Sequence, residues 1–307
     1  MTDHQSTIVE QIELGTQLFE SAPLCFGHGT DNAWDEATML VLASLDLPPD
    51  LSFDQGQRTV NAEQVEQLKV LFQRRVEERI PAAYLIGRAW FAGLEFIVDE
   101  TVLVPRSPIA ELIIGHFSPW LRTGSDIRVL DLCTGSACIA VAVAKYLPLS
   151  QVDASDLSAD AIAVAQQNVV KHGVGDRLRL YQGDLFEPLG SKRYDLIVTT
   201  PPYVGRAEMA QLPTEYRQEP TVALSSGEDG LDLPLRIVLH AAEHLSEQGI
   251  LILEVGNSDQ LLQACLPQVP FTWLEFEDGG HGVCLLERQQ LLDAHDFVAA
   301  ALQRRSM

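Results

Sequence analysis

Thr200-Pro201-Pro202-Tyr203 follow, after Thr199, on a short apolar run, Leu196-Ile197-Val198. Proline has no amide donor and pushes the residue before it toward extended backbone. The strand that the apolar run predicts therefore stops at Pro201, and the loop after it is stiff. Tyr203 becomes an aromatic ring held at the carboxyl end of a strand, the edge at which open α/β sheets place their ligands. Alone, the stretch is equally well a strand, a proline stop and a half-buried tyrosine.

Three acids add weight to it. Asp131, Asp156 and Asp184 each stand at or beside the end of a predicted strand. After Asp131 comes Leu132-Cys133-Thr134-Gly135-Ser136-Ala137 and then a run of small and branched residues. A strand, a tight small-residue turn and a helix make a nucleotide-type cofactor loop, with backbone amides turned toward the ligand. The dinucleotide fingerprint G-x-G-x-x-G is absent, which argues against a dehydrogenase. Asp156 follows Gly135 by 21 residues, close to the spacing of about twenty expected for an acid that holds ribose hydroxyls. Asp184 is suited to accept from an adenine amino group, with Leu185 and Phe186 packing on the base. The loop alone is also compatible with an ordinary strand-to-helix turn, so the weight lies in three acids at successive strand ends.

The elements that must position these residues alternate. Strands are expected over 129–132, 151–155, 177–181, 194–199, 249–255, 271–276 and 283–287, with helices over 137–146, 158–171, 231–245 and 291–303. This predicts an α/β fold: a doubly wound, seven-stranded sheet closed by an antiparallel hairpin. A 25-residue connection, Gly205 to Asp229, separates the proline loop from the next helix, and connections this long are usually functional. Before the sheet, helical periodicity appears over 6–21, 33–45 and 61–79, with a polar connection Asp50 to Gln57. Tyr84–Gly87 and Trp90–Val98 read as two short strands. Ser107 is placed to cap a helix that has Pro108 in its first position. The expected domains are 1–82, helical; 83–104, a linking hairpin; and 105–307, the cofactor-binding unit.

Lys+Arg number 21 and Asp+Glu 43, a formal charge of −22. That argues against a nucleic-acid backbone as the main partner and suits a basic protein. Five scattered cysteines without C-x-x-C spacing predict neither a disulfide framework nor a zinc site, and no metal is expected. No basic flank precedes an apolar run at the N-terminus, and no run is long enough to span a bilayer, so a reducing cytoplasm is the simplest home. His4 and His28 read as solvated, and His281 as a turn residue.

Taken together, the motifs resemble the S-adenosylmethionine-dependent protein-(glutamine-N(5)) methyltransferases over nearly the whole chain. The residues that carry the resemblance are Val102-Leu103-Val104-Pro105-Arg106-Ser107-Pro108, Asp131 to Ser136, Asp184-Leu185-Phe186, Pro201-Pro202-Tyr203, Glu219-Pro220 and Glu254 to Ser258. Pro-Arg-Ser-Pro and Cys133 are similar to the subgroup acting on a large-subunit ribosomal protein, uL-three, rather than to the release-factor subgroup. The resemblance implies a Rossmann-like class I methyltransferase fold and S-adenosylmethionine as cofactor. It implies cofactor contacts from Asp131, Cys133, Thr134, Gly135, Ala137, Asp156, Asp184, Leu185 and Thr200. Its substrate loop is Asn-Pro-Pro-Tyr, here Thr200, Pro201, Pro202 and Tyr203, which accepts from both amide hydrogens of a glutamine and lays the ring against the amide. Cys133 and Ala137 replace two glycines of the family's D-x-G-x-G-x-G loop. Thr200 replaces the asparagine, which predicts slow methylation and a rise of at least about tenfold in Thr200→Asn. Two other readings stay open: adenine-N(6) methylation of nucleic acid, and a non-catalytic cofactor-binding factor in ribosome assembly.

Overall fold

The computed structural model describes residues 6–48, 51–121 and 126–305; His4 and Asp50 lie outside them. Helices α1 (Ile8–Ser21), α2 (Ala33–Ser44), α3 (Phe53–Gly56) and α4 (Ala62–Glu77) form the N-terminal domain. Their starts follow from side-chain caps. Thr7 and Glu10, and Asn61 and Gln64, make reciprocal capping boxes, and Asn32 accepts from the Asp35 amide. Phe19, Leu40, Leu68 and Phe72 fill the core between these helices, with Phe19 and Phe72 edge to face at 5.6 Å.

The segment 82–97 differs from expectation. Ala82–Ile86 is a short helix, α5, ended by Gly87 in the left-handed region at φ 69°. The hairpin comes after it: β1 (Arg88–Phe91) pairs antiparallel with β2 (Leu94–Ile97) around Ala92-Gly93. The aromatic and β-branched content of 84–98 signals extended chain, but only its second half has the turn that closes a ladder. α6 (Ile109–Ile114) follows, with Pro108 rather than Ser107 at the cap position; Ser107 Oγ, one residue earlier, accepts from the Ile109 amide at 3.2 Å.

The large domain holds β3 (Arg128–Leu132), α7 (Cys138–Tyr146), β4 (Gln151–Asp156), α8 (Ala159–His172), β5 (Leu178–Gln182) and β6 (Tyr194–Thr199). It continues through α9 (Arg206–Met209), α10 (Asp232–His244), β7 (Leu245–Glu254), α11 (Asp259–Cys265), β8 (Thr272–Trp273), β9 (Val283–Glu287) and α12 (Arg288–Arg305). The seven-stranded sheet runs β5-β4-β3-β6-β7-β9-β8. Its first five strands are parallel, and β9 is antiparallel to both neighbours. The expected doubly wound sheet is present, although β8 is two residues rather than six.

Alternation along the strands builds a core on each side. Val129, Leu196, Val198, Ile250 and Ile252 face α7 and α8. Leu130, Leu132, Ile197, Leu251 and Leu253 face α10 and α12. A strand buried on both faces reads as a continuous apolar run, which is why these elements were plain in the sequence. Strand order reverses between β3 and β6, so the loops after them diverge at the carboxyl edge and leave a crevice. The hairpin is tied to this domain through Asn168 on α8, which accepts from the Ile97 amide at 2.7 Å and donates to the Ile97 carbonyl at 2.9 Å.

Candidate active site

Two cavities open at the carboxyl edge. The first, about 730 Å³ including its mouth, is lined by Cys133, Gly135, Asp156, Asp184, Leu185, Thr200 and Pro202, with a wall from Thr101 to Leu103. Its lining contains two carboxylates and no lysine, arginine or histidine. Phosphate groups need such cations or convergent amides. The cavity therefore suits a cationic, hydroxyl-bearing ligand better than a dinucleotide.

Asp156 is held in place from both sides. Gly135 N–H donates to one oxygen at 2.8 Å and Ser158 N–H to the other at 2.9 Å. Burial pushes its carboxyl up from the ordinary value, against those amides. Each oxygen retains a lone pair for a further donor. Gly135 itself sits at φ 54° with open space where a side chain would project. Cys133 at φ 58° and Ala137 at φ 62° keep the same left-handed backbone, which costs an L residue roughly 1–2 kcal/mol each. The loop thus keeps a glycine-type path at all three positions. Asp184 accepts from Arg236 at 2.8 Å and stands half-exposed at the cavity wall.

Asp131, Thr134 and Ala137 do not line the cavity. Asp131 lies fully behind the loop, accepting from Thr134 Oγ1 at 2.5 Å and the Ala140 amide at 3.1 Å. Burial pushes its carboxyl up to about 7, and its second oxygen is buried without a hydrogen-bond partner among the described residues. It braces the turn rather than facing a ligand.

The second cavity, about 640 Å³, is lined by Arg106, Thr200, Pro201, Tyr203, Glu208, Tyr216 and Asn257 among others. Leu103, Thr200 and Ala223 belong to both cavities. Thr200 therefore stands at their junction. The Tyr203 ring is packed on Gly256: a Cβ there would come within 2.7 Å of the ring, so only glycine admits this approach. Ser258 Oγ donates to the Tyr203 carbonyl at 2.9 Å. Behind the rim, the Glu254 carboxylate accepts from Thr200 Oγ1 at 3.1 Å, from the Tyr203 hydroxyl at 3.3 Å and from Ser107 Oγ.

The long connection is anchored by two buried acids. Glu219 accepts from Arg106 through both oxygens at 2.7 Å and from the Val104 amide at 3.1 Å. Burial alone would raise this carboxyl; His28, 3.4 Å away, and the Arg106 guanidinium override it and hold it down at about 2. His28 is 1% exposed, which corrects its reading as a solvated residue: it is packed against Tyr216 and Glu219. Glu215, also fully buried, takes Arg79 at 2.7 and 3.0 Å and Arg75 at 3.2 Å. Arg75 also meets Glu36 on α2 at 2.5 Å. His281 contacts Asn257 at 3.0 Å in an exposed turn, as expected.

Roles for Arg106, Glu219 and Glu254 were not legible from residue type. Their motifs were visible, but an acid in an E-V-G or E-P dipeptide carries no signal of what it touches. Among the described residues no group of His, Cys, Asp and Glu is arranged to hold a metal, and no helix is long and apolar enough to cross a membrane.

The mainly parallel sheet with its carboxyl-edge crevice fits a Rossmann-like methyltransferase fold, and residues 110–216 match the "Methyltransferase small domain" family. Relatives over nearly the full length are more specific. A ribosomal protein uL3 glutamine methyltransferase of Xanthomonas campestris pv. campestris is 51% identical over 94% of both chains. Those of Xylella fastidiosa (strain Temecula1) and Francisella tularensis subsp. tularensis are 50% and 45% identical, covering 99% and 97% of this chain and 97% and 95% of theirs. The chain belongs to the ribosomal protein uL3 glutamine methyltransferase family. These relatives give no support to adenine methylation or to a non-catalytic assembly factor.

Proposed function

We propose that the protein transfers a methyl group from S-adenosylmethionine to the side-chain amide nitrogen of a glutamine in large-subunit ribosomal protein uL3. The observation that carries the reading is the junction at Thr200, between a cavity lined by two carboxylates and no basic side chain and a second cavity rimmed by Pro201 and Tyr203.

S-adenosylmethionine, when bound, supplies an electrophilic methyl on a sulfonium. Asp156 would accept from its ribose hydroxyls and Asp184 from its adenine amino group. Cys133, Gly135 and Leu185 would pack close, and Asp131, Thr134 and Ala137 would hold the turn in shape. An amide nitrogen is a poor nucleophile because its lone pair is delocalised into the carbonyl. The rim's task is therefore orientation and electrostatics. Thr200 Oγ1 and the Pro201 carbonyl would accept the two amide hydrogens, Pro202 would stiffen the loop, and the Tyr203 ring would lie against the amide plane. The nitrogen loses one proton to water after transfer, so no strong base is required at the site.

Residues 1–82 would choose the protein substrate, with 83–104 linking them to the methyltransferase unit at 105–307. A net charge of −22 supports a basic protein as partner, and the cytoplasm is the compartment where such a partner is made. The test is incubation of purified protein with labelled S-adenosylmethionine and undermethylated ribosomal extract. Label in uL3, released as N(5)-methylglutamine, is expected. Label confined to RNA, or none, overturns the reading.

A further inference from the structure

We propose that Glu254 is a positioning residue that fixes the hydrogen-bond polarity of the substrate rim: its carboxylate takes the hydroxyl protons of Ser107, Thr200 and Tyr203, so that Thr200 Oγ1 meets the substrate amide as an acceptor only. The inference rests on the glutamine-methylation reading of that rim.

Glu254 ends β7 and is 5% exposed. Its partners are three hydroxyls rather than an arginine; Arg106 nearby is committed to Glu219. An ionised carboxylate only accepts, so each of those hydroxyls must donate to it. A threonine hydroxyl has one proton and two lone pairs. With the proton turned toward Glu254 at 3.1 Å, only lone pairs remain toward the cavities that Thr200 lines. The ambiguity of a residue that both donates and accepts is thereby removed. An asparagine at the same position would give its amide hydrogens to the same carboxylate and turn its carbonyl outward. Glu254 thus serves either residue, and Thr200 loses reach but not polarity. The gain expected for Thr200→Asn is correspondingly smaller, below about tenfold.

The groups facing Glu254 are Arg106 and Ser107 before α6, Thr200 and Tyr203 after β6, and the apolar Val283 paired with it on β9. Burial pushes its carboxyl up, while the three hydroxyls and the Arg106 charge oppose the rise. Once protonated, Glu254 becomes a donor itself and frees a hydroxyl proton to point at the amide hydrogens. Methyl transfer should therefore fall as pH drops through this titration.

The experiment is single-turnover methylation of undermethylated uL3 at saturating S-adenosylmethionine, for wild type, Glu254→Gln, Thr200→Val and the double variant, across pH. Calorimetric affinity of Glu254→Gln for S-adenosylmethionine serves as the folding control and should change less than about threefold, since Glu254 does not line that cavity. Glu254→Gln should lose about tenfold or more in rate at neutral pH and lose the acid limb. In the Thr200→Val background, most of that loss should disappear, because no hydroxyl remains to be oriented. Equal fractional losses in both backgrounds would make Glu254 merely structural and overturn the proposal, as would an acid limb that persists in Glu254→Gln, which would belong to Asp131 or Asp156. A wild type that transfers no methyl to uL3 would instead sink the functional reading itself.

Discussion

Glu219→Gln should cost about 3–5 kcal/mol of stability, the price of leaving Arg106 without its buried partner. The Glu219 side chain is fully buried and that of Arg106 is 23% exposed, so solvent can replace only part of the lost contact. A second route gives a similar size. Glu219 has a folded-state pKa of about 2 against an ordinary 4.5, and 1.36 kcal/mol per unit makes about 3 kcal/mol. The sign follows from the depression: the contribution is complete above pH 4.5 and is lost as pH falls toward 2. Glu215 is likewise held at about 2, because Arg79 and Arg75 override its burial. Wild type should therefore lose both contributions in that window, and Glu219→Gln only the one from Glu215. Urea unfolding at pH 7 and at steps from pH 5 to 2 reads both quantities. A loss under about 1 kcal/mol at pH 7, or an acid limb as deep as wild type's, would refute the reasoning. Because Arg106 lines the second cavity, proposed above to take the substrate, methylation should fall while cofactor affinity holds.

Other expectations follow from the same geometry. Asp156→Ala should weaken S-adenosylmethionine by about 1–3 kcal/mol by calorimetry; unchanged affinity would remove the ribose assignment. Asp131, raised to about 7, favours folding when protonated, so wild-type stability should decline as pH rises from about 4 to 7. Asp131→Asn should flatten that decline by at least about 1 kcal/mol between pH 5 and 8 in urea unfolding, and parallel curves would show that the acid is not protonated in the fold. Removal of residues 1–80 should leave cofactor affinity within about threefold, since that cavity is walled from Thr101 onward, while methylation of uL3 is lost. A truncated protein that methylates as well as the full chain would refute the second half.

The parts of this molecule that were readable in the sequence are those where one residue's type decides its place. The buried strands announce themselves because both faces are apolar, and Pro201-Pro202 stops β6 whatever surrounds it. Asp156 and Asp184, singled out by position after a strand, line the first cavity. The same rule placed Asp131 at the ligand, where the structure puts it behind the turn, because a strand-end acid can point either way and only packing decides. Position 84–87 failed for a related reason: aromatic content favours strand, but a helix of five residues ended by Gly87 gave Tyr84 a buried partner in the Val102 carbonyl at 2.6 Å. His28 was misread because a lone histidine carries no sign of burial; its companions Tyr216 and Glu219 are almost two hundred residues away.

The rim of the second cavity could not be read from any one motif. It is assembled from 103–107, 200–204 and 254–258, and the proposed polarity needs Ser107, Thr200 and Tyr203 to meet at Glu254. The far wall comes from the long connection, whose two acids are gripped from opposite sides: Glu219 by Arg106 next to the rim, Glu215 by Arg75 and Arg79 of the N-terminal domain. Both acids lie within one turn and a residue of each other, so the wall cannot shift without breaking a buried ion pair at one end, at a cost of several kcal/mol. Through Arg75 and Arg79 the helical segment thus braces one side of the second cavity. If that cavity takes the glutamine amide as proposed, Arg79→Ala should lower the transfer rate itself as well as alter the choice of protein.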